Sequence, residues 1–266
     1  MRVSYATEPT PGRRNEDHVV AGPGWAVVLD GATPRPGVDG GCSHGPGWLV
    51  RRLGGALAAR LAAEDERPLP DLLAEAIASV ADLHADRCDL SNGDSPSATV
   101  AMLRWDGTAE RAAEWLVLAD SPVLLDRADG TAQGGAVEVV RDDRIDHLPA
   151  YTHEAVRRAR NSPGGFWVAS TRPEAAYEAL HGRARGVRRA ALLSDGAARL
   201  VERFGLLDWP GLLDLLDRDG PQELIRRTRA AERERRVEGR RGKLFDDATA
   251  VFVDLRTAPG PGDGAA

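Results

Sequence analysis

The sequence predicts an α+β fold. Three observations point there: short β-rich runs come in clusters instead of alternating strictly with helices, two stretches of helical leucine periodicity stand side by side between those clusters, and several apolar runs end at an aspartate. In chain order, Val3–Ala6 and Trp25–Leu29 are expected strands, the second a continuous apolar run that stops at Asp30-Gly31. Leu49, Leu53, Leu57 and Leu61 recur every four residues, and Leu73, Ile77 and Val80 repeat the pattern after Pro70. These predict two amphipathic helices separated by the Pro68–Pro70 break. Ser97–Arg104, Trp115–Leu118, Pro122–Leu125 and Val137–Val140 are β-rich, and Asp120 falls in the tight link between two of them.

The second half continues with a strand at Phe166–Ala169, a helix at Pro173–Leu180 with proline at its start, and a strand at Arg188–Leu193 running into Ser194-Asp195-Gly196. Leu212–Leu216 and Pro221–Arg236 are expected helices, the latter with Glu223–Arg227 and Glu232–Arg236 spaced for i,i+4 pairing. Ala248–Leu255 is the expected closing strand. The Asn161–Trp167 segment fits a substrate-facing loop or a packed turn equally.

Composition narrows the class. With 266 residues, 42% of them hydrophobic, and no internal repeat, one domain is expected over residues 1–256, followed by a disordered Pro/Gly tail at 257–266. No apolar stretch approaches a membrane span and no leader pattern opens the chain, so no membrane association and a cytoplasmic location are expected. A net charge of −6 argues against broad nucleic-acid binding. Residues 226–243 are locally basic, with eight Arg and one Lys against three Glu. The wealth of Arg beside a single lysine, Lys243, reads as a coding bias, so arginine counts carry little weight. Two cysteines, Cys42 and Cys88, exclude a disulfide framework and a four-cysteine zinc site, and are expected to be reduced.

The chemistry lies in acidic motifs beside the strands: Asn15-Glu16-Asp17, Asp30-Gly31, Ala119-Asp120-Ser121, Ser194-Asp195-Gly196 and Asp246-Asp247-Ala248-Thr249. An isolated Asp-Gly is most often only a turn. Several carboxylates at strand ends are costly to bury singly, which favours one shared, cation-holding cluster. Mg²⁺ and Mn²⁺ suit it, since they take oxygen ligands and keep several waters.

In this order, and with Ser97-Ala98-Thr99 between them, the motifs resemble those of the metal-dependent protein phosphatases, the protein phosphatase 2C family, in a divergent bacterial form. The resemblance implies a four-layer α/β/β/α sandwich, two central antiparallel β-sheets flanked by helices, with a metal site at one end. It implies Mn²⁺ or Mg²⁺ as cofactor, two ions with a third, weaker one. Asp30 would bridge two metals, the Gly31 carbonyl would join one of them, Asp195 and Asp246 the other, and Asp120 the third. Glu16 and Asp17 would hold metal-bound waters. The implied activity is hydrolysis of phosphoserine or phosphothreonine in a phosphorylated protein, a signalling role, by a water bridging two ions.

The family arginine that clamps phosphate is replaced by Gly12, so that Arg13 or Arg14 either substitutes for it after a one-residue shift or is a solvated surface arginine, and the histidine after Asp-Gly is replaced by Ala32. His44 is a candidate proton donor or a structural helix-start histidine. The Arg240-Arg241-Gly242-Lys243 run either faces the phosphate or forms a solvated helix end, the second being favoured. Gly41-Cys42-Ser43-His44-Gly45 fits the Gly-x-Ser-x-Gly pattern of acyl hydrolases but lacks the apolar strand that must precede it. His153-Glu154 lacks the second histidine of a zinc protease. The alternatives are a phosphatase-fold binding protein without catalysis and a hydrolase of small phosphoesters.

Overall fold

The computed structural model of the chain describes residues 1–33, 35–106, 110–128, 137–234 and 243–256. Among them, ten strands form two antiparallel five-stranded sheets. The first holds β1 (Arg2–Glu8), β10 (Ala248–Asp254), β9 (Val187–Leu193), β6 (Val123–Arg127) and β7 (Glu138–Val140), in that spatial order. The second holds β2 (Asp17–Gly22), β3 (Trp25–Gly31), β4 (Ala98–Trp105), β5 (Ala113–Leu118) and β8 (Leu180–Ala184). Helices α1 (Pro46–Ala62) and α2 (Leu69–Asp82) cover the second sheet. Helices α4 (Asp195–Glu202), α5 (Trp209–Asp219) and α6 (Pro221–Glu234) cover the first. The α+β class and the four-layer sandwich are both as expected.

The continuous apolar runs now have a cause. Central strands are covered on both faces, so both alternating sets of side chains are hydrophobic. In β3, Trp25, Val27 and Leu29 pack under α1 and α2, while Ala26 and Val28 face the other sheet. In β10, Ala250 and Phe252 pack under α4–α6, while Val251 and Val253 face the inter-sheet core. Each buried leucine or valine contributes about 1.5–3 kcal/mol relative to exposure.

Some elements differ from expectation. Strands β2 and β8 were not expected; both lie at sheet edges, and β8 is largely exposed, so neither carries a strong apolar alternation. Pro173–Glu178 is a 3₁₀ helix, and Leu180 beyond it belongs to β8. Phe166–Ala169 forms only isolated bridges to Arg160 and Ala98 instead of a ladder. The preceding Asn161–Gly165 is a packed turn, with Asn161 Oδ1 accepting from the Val168 amide at 2.8 Å. A short helix α3 (His153–Ala159) is capped by Thr152. The expected tail at 257–266, Arg236 and the residues Arg240, Arg241 and Gly242 lie outside the described residues. Among the described residues, no helix is long and apolar enough to cross a membrane.

Candidate active site

The motif aspartates gather at one end of the sandwich because antiparallel pairing places the ends of neighbouring strands side by side. Asp17 opens β2 directly opposite Asp30, near the end of β3, and Asp30 in turn faces Thr99 of β4. Asp120 follows β5. Asp195 follows β9 as the first residue of α4, and Asp246 stands two residues before β10. Asp30, Gly31, Asp120, Asp195 and Asp246 all line one cleft of about 770 Å³.

Local backbone features aim these side chains. Ala119 has φ +66°, a left-handed conformation that costs a non-glycine residue on the order of 1 kcal/mol, and its amide is held at 3.1 Å by the buried Asp142 carboxylate. The turn so fixed presents Asp120 to the cleft. Gly31 has no room for a side chain: a Cβ there would stand 2.6 Å from the Glu16 carbonyl oxygen and 2.9 Å from Pro46 Cβ. Gly196 is equally constrained by the Asp247 carbonyl oxygen. Asp247 fastens the preceding loop, accepting from the Thr10 amide at 2.5 Å and the Glu16 amide at 2.7 Å.

The electrostatics are those of carboxylates crowded together. Burial pushes Asp17 up to about 7, the Thr249 and Ser194 hydroxyls oppose that rise, and the Asp195 and Asp247 charges reinforce it. Neither Asp17 oxygen has a hydrogen-bond partner of good geometry, although the residue is buried. Asp30 lies well above the ordinary carboxylate range through burial and then through the charges of Asp17, Asp195, Asp120 and Asp246. Asp120 is raised to about 7 by burial and by Asp195. Asp195 is raised by burial and by Asp246, with Arg199 opposing. Four of the motif aspartates thus act on Asp30 at once, and such a group favours a bound cation.

The donor set fits divalent ions of the Mg²⁺ or Mn²⁺ kind: it is all oxygen, and Asp17 keeps two unsatisfied acceptors. The aspartates are spread more widely than a single tight cage. Among the described residues, the group of ligand-type side chains whose ligating atoms all lie within 4.8 Å of one another is a different one, Cys42, His44, His84 and Cys88. A wider spread suits ions that retain several waters.

Protein cations reach the same place. Arg199 Nη2 donates to Asp246 Oδ2 at 2.8 Å, and Lys243 Nζ lies 3.0 Å from Asp246 Oδ1 and 2.6 Å from Thr33 Oγ1. Thr33 donates onward to Glu16 Oε2 at 2.6 Å. Burial works against the Lys243 charge, but Asp246, Asp195 and Asp30 outweigh it and raise its pKa. Lys243 therefore faces the cleft, while the rest of the Arg240–Lys243 run lies outside the described residues. Arg35, Arg141, Arg157 and Arg160 also line the cleft, whereas Arg13 and Arg14 stand exposed on the preceding loop and Glu16 and Asp17 sit behind the lining. Arg199 and Arg141 were missed in the sequence. Arg199 does fall one helical turn after Asp195, a spacing that marks a neighbour of the site; Arg141 carries no comparable signal.

No protein-family model matches this sequence, and no curated protein does. Solved structures do. The serine/threonine phosphatase PstP/Ppp of Mycobacterium tuberculosis is 17% identical with a TM-score of 0.59, over 96% of this chain and 99% of that one. The catalytic domain of PstP in complex with two manganese ions is 17% identical with a TM-score of 0.58, over 95% and 97%. Stp1 of Staphylococcus aureus, also a serine/threonine phosphatase, is 14% identical with a TM-score of 0.60, over 96% and 95%. The chain has the fold of these bacterial serine/threonine phosphatases, the sandwich that its resemblance to the protein phosphatase 2C family implies.

Proposed function

We propose that the chain is a metal-dependent phosphatase acting on phosphoserine and phosphothreonine in proteins, with residues 1–256 as its catalytic unit and the cytoplasm as its location. The observation that carries this is the buried Asp17, neither of whose carboxylate oxygens has a hydrogen bond of good geometry, backing Asp30 in a cleft that three further motif aspartates line. Asp30, the Gly31 carbonyl, Asp195 and Asp246 would hold two Mn²⁺ or Mg²⁺ ions and Asp120 a third, with Asp17 and Glu16 orienting waters. Bound there, such ions supply an acidified water and neutralise phosphoryl oxygens during in-line displacement.

The chain's own side chains do the remaining work. Arg199, locked by the buried Glu232 at 2.7 Å, fixes the direction of Asp246. Lys243 and Arg141 present cations beside the aspartates, and Arg35 and Arg160 line the outer cleft, so an incoming phosphate is attracted and oriented. In this reading these residues take the clamping role that the family resemblance left to Arg13 or Arg14.

A second reading, a phosphatase-fold protein that binds a partner without catalysis, draws on one observation: both oxygens of Asp246 already meet protein cations. One experiment separates the readings. Hydrolysis of an aryl phosphate and a phosphothreonine peptide is measured with Mn²⁺, with chelator, and with Asp30→Asn. The proposal expects Mn²⁺-dependent turnover of both, and a loss of about 100-fold or more in Asp30→Asn. Turnover that ignores chelator or the substitution rejects the metal mechanism. Turnover of the aryl phosphate alone assigns a small-phosphoester hydrolase, and no turnover favours the binding protein.

A further inference from the structure

Two segments that are far apart in sequence bring four soft and borderline ligands to one point. Cys42 and His44 lie on the loop leading from β3 into α1, and His84 and Cys88 lie in the turns just after α2. One ligating atom from each falls within 4.8 Å of all the others. Cys42 Sγ stands 3.5 Å from His44 Nδ1 and 3.5 Å from His84 Nδ1, and Cys88 Sγ stands 3.5 Å from His44 Nδ1. A tetrahedral zinc ion with Zn–S of about 2.3 Å and Zn–N of about 2.0–2.1 Å puts adjacent sulfur and nitrogen ligands about 3.5 Å apart. Three edges of the polyhedron already have that length, and the others, none longer than 4.8 Å, require an adjustment of about 1.5 Å or less.

Donors meet both thiols and the rings are fixed, although burial pushes the metal-free Cys42 thiol up to about 11, so its thiolate forms with the metal. The His44 amide points at Cys42 Sγ at 3.4 Å, and the Ser43 amide and hydroxyl point at Cys88. The His44 ring stacks on Trp48 with centroids 4.1 Å apart, and His84 meets the same indole edge-on at 5.0 Å. The Asp89 amide closes the two segments on each other through the Gly41 carbonyl at 2.8 Å. A disulfide would account for two thiols close together, but not for two imidazole nitrogens turned into the same small volume.

We propose that Cys42, His44, His84 and Cys88 form a structural zinc site. Four protein ligands close the coordination shell, which distinguishes it from a catalytic zinc centre. Each thiol releases its proton to solvent as the metal binds. The ion ties the loop that carries Thr33, Arg35 and Gly40, all of them cleft residues, to the end of α2. It also engages His44 Nδ1 in structure, removing that imidazole from any role in protonating a leaving group.

The test counts zinc on full-length protein produced with zinc, kept reduced and desalted. About one zinc per chain is expected, released by a thiol-blocking mercurial. Because the aspartate cleft is another place for a divalent ion, the count is repeated on Asp30→Asn and on the double variant Cys42→Ser/Cys88→Ser. The first is expected to retain the zinc and the second to lack it. Cobalt substitution of the unaltered protein gives a readout independent of any variant's folding: thiolate-to-cobalt charge transfer and the intense visible bands of a tetrahedral ion. Zinc-free protein after supplementation, a cobalt spectrum without charge transfer, or zinc lost in Asp30→Asn but kept in the cysteine double variant overturns the proposal. Mn²⁺-dependent turnover is measured separately, so failure of the zinc site leaves the phosphatase reading to its own test.

Discussion

Asp246 is gripped from two sides by groups of different mobility. Arg199 is buried and anchored by Glu232, whereas the Lys243 side chain is 44% exposed. A divalent ion arriving at Asp246 therefore competes with the ammonium and not with the guanidinium. A partly exposed pair of this kind is worth at most about 1 kcal/mol, or about fivefold in an equilibrium constant. Lys243→Met is thus expected to tighten Mn²⁺ binding by about fivefold, measured by calorimetry, while raising KM for the phosphopeptide through loss of a phosphate-facing cation. Unchanged or weaker Mn²⁺ binding would show that the lysine does not compete for the carboxylate. The residue itself is plain in the sequence as the chain's single lysine, but its partners are Thr33 and Asp246, one of them more than two hundred positions away.

At the scale of elements, α6 packs on α4 and β1 through apolar residues, and one buried carboxylate adds a polar link among them. Glu232 is fully buried and receives Arg199 Nη1 at 2.7 Å and Arg229 Nη1 at 2.8 Å. Arg229 continues to the carbonyls of Glu8 and Pro9 at 3.2 and 3.3 Å, where β1 ends. Removing the central charge leaves two buried guanidinium groups facing each other, a class of change that costs about 3–5 kcal/mol. Glu232→Gln, nearly isosteric, is expected to lower unfolding free energy by that amount in urea titrations with chelator present, and a loss below about 1 kcal/mol would mean the triad is dispensable. The sequence showed the local half of this picture. The Glu223–Arg227 pair expected from helical spacing forms at 2.8 Å. Glu232 was read the same way, toward Arg236, which lies outside the described residues; the buried partners described for it lie one turn back and on another helix, which spacing within one helix does not disclose. The edge strands β2 and β8 were hidden for a related reason, since pairing with a neighbour, not side-chain alternation, makes them strands.

For the whole molecule, the acidic end of the sandwich was legible because each motif follows or precedes an apolar strand, and antiparallel order then brings the strand ends together. What stayed hidden were contacts that only the fold creates: Arg199 of α4 on Asp246, Lys243 on Thr33, and the Cys and His residues that a count of two cysteines sets aside. Crowding the carboxylates has a consequence for folding as a whole. Asp17 and Asp120 titrate at about 7 in the folded protein against 3.8 ordinarily, so the native state keeps protons that the unfolded chain has released. Without metal, that contribution is complete below about pH 4 and is lost progressively as pH rises to about 7. His18 and His84, held below the ordinary imidazole range mainly by burial, act in the opposite sense, their contribution being lost as pH falls below the ordinary imidazole value, which makes the metal-free profile alone ambiguous. The difference between Mn²⁺ and chelator at each pH isolates the aspartates, because a bound cation replaces the missing protons. Thermal unfolding is expected to show a small Mn²⁺ stabilisation at about pH 5 and a larger one at about pH 8, each kcal/mol amounting to roughly 2–4 °C. Equal stabilisation at both ends, or a larger effect at low pH, would mean that the crowded carboxylates are not where the metal binds.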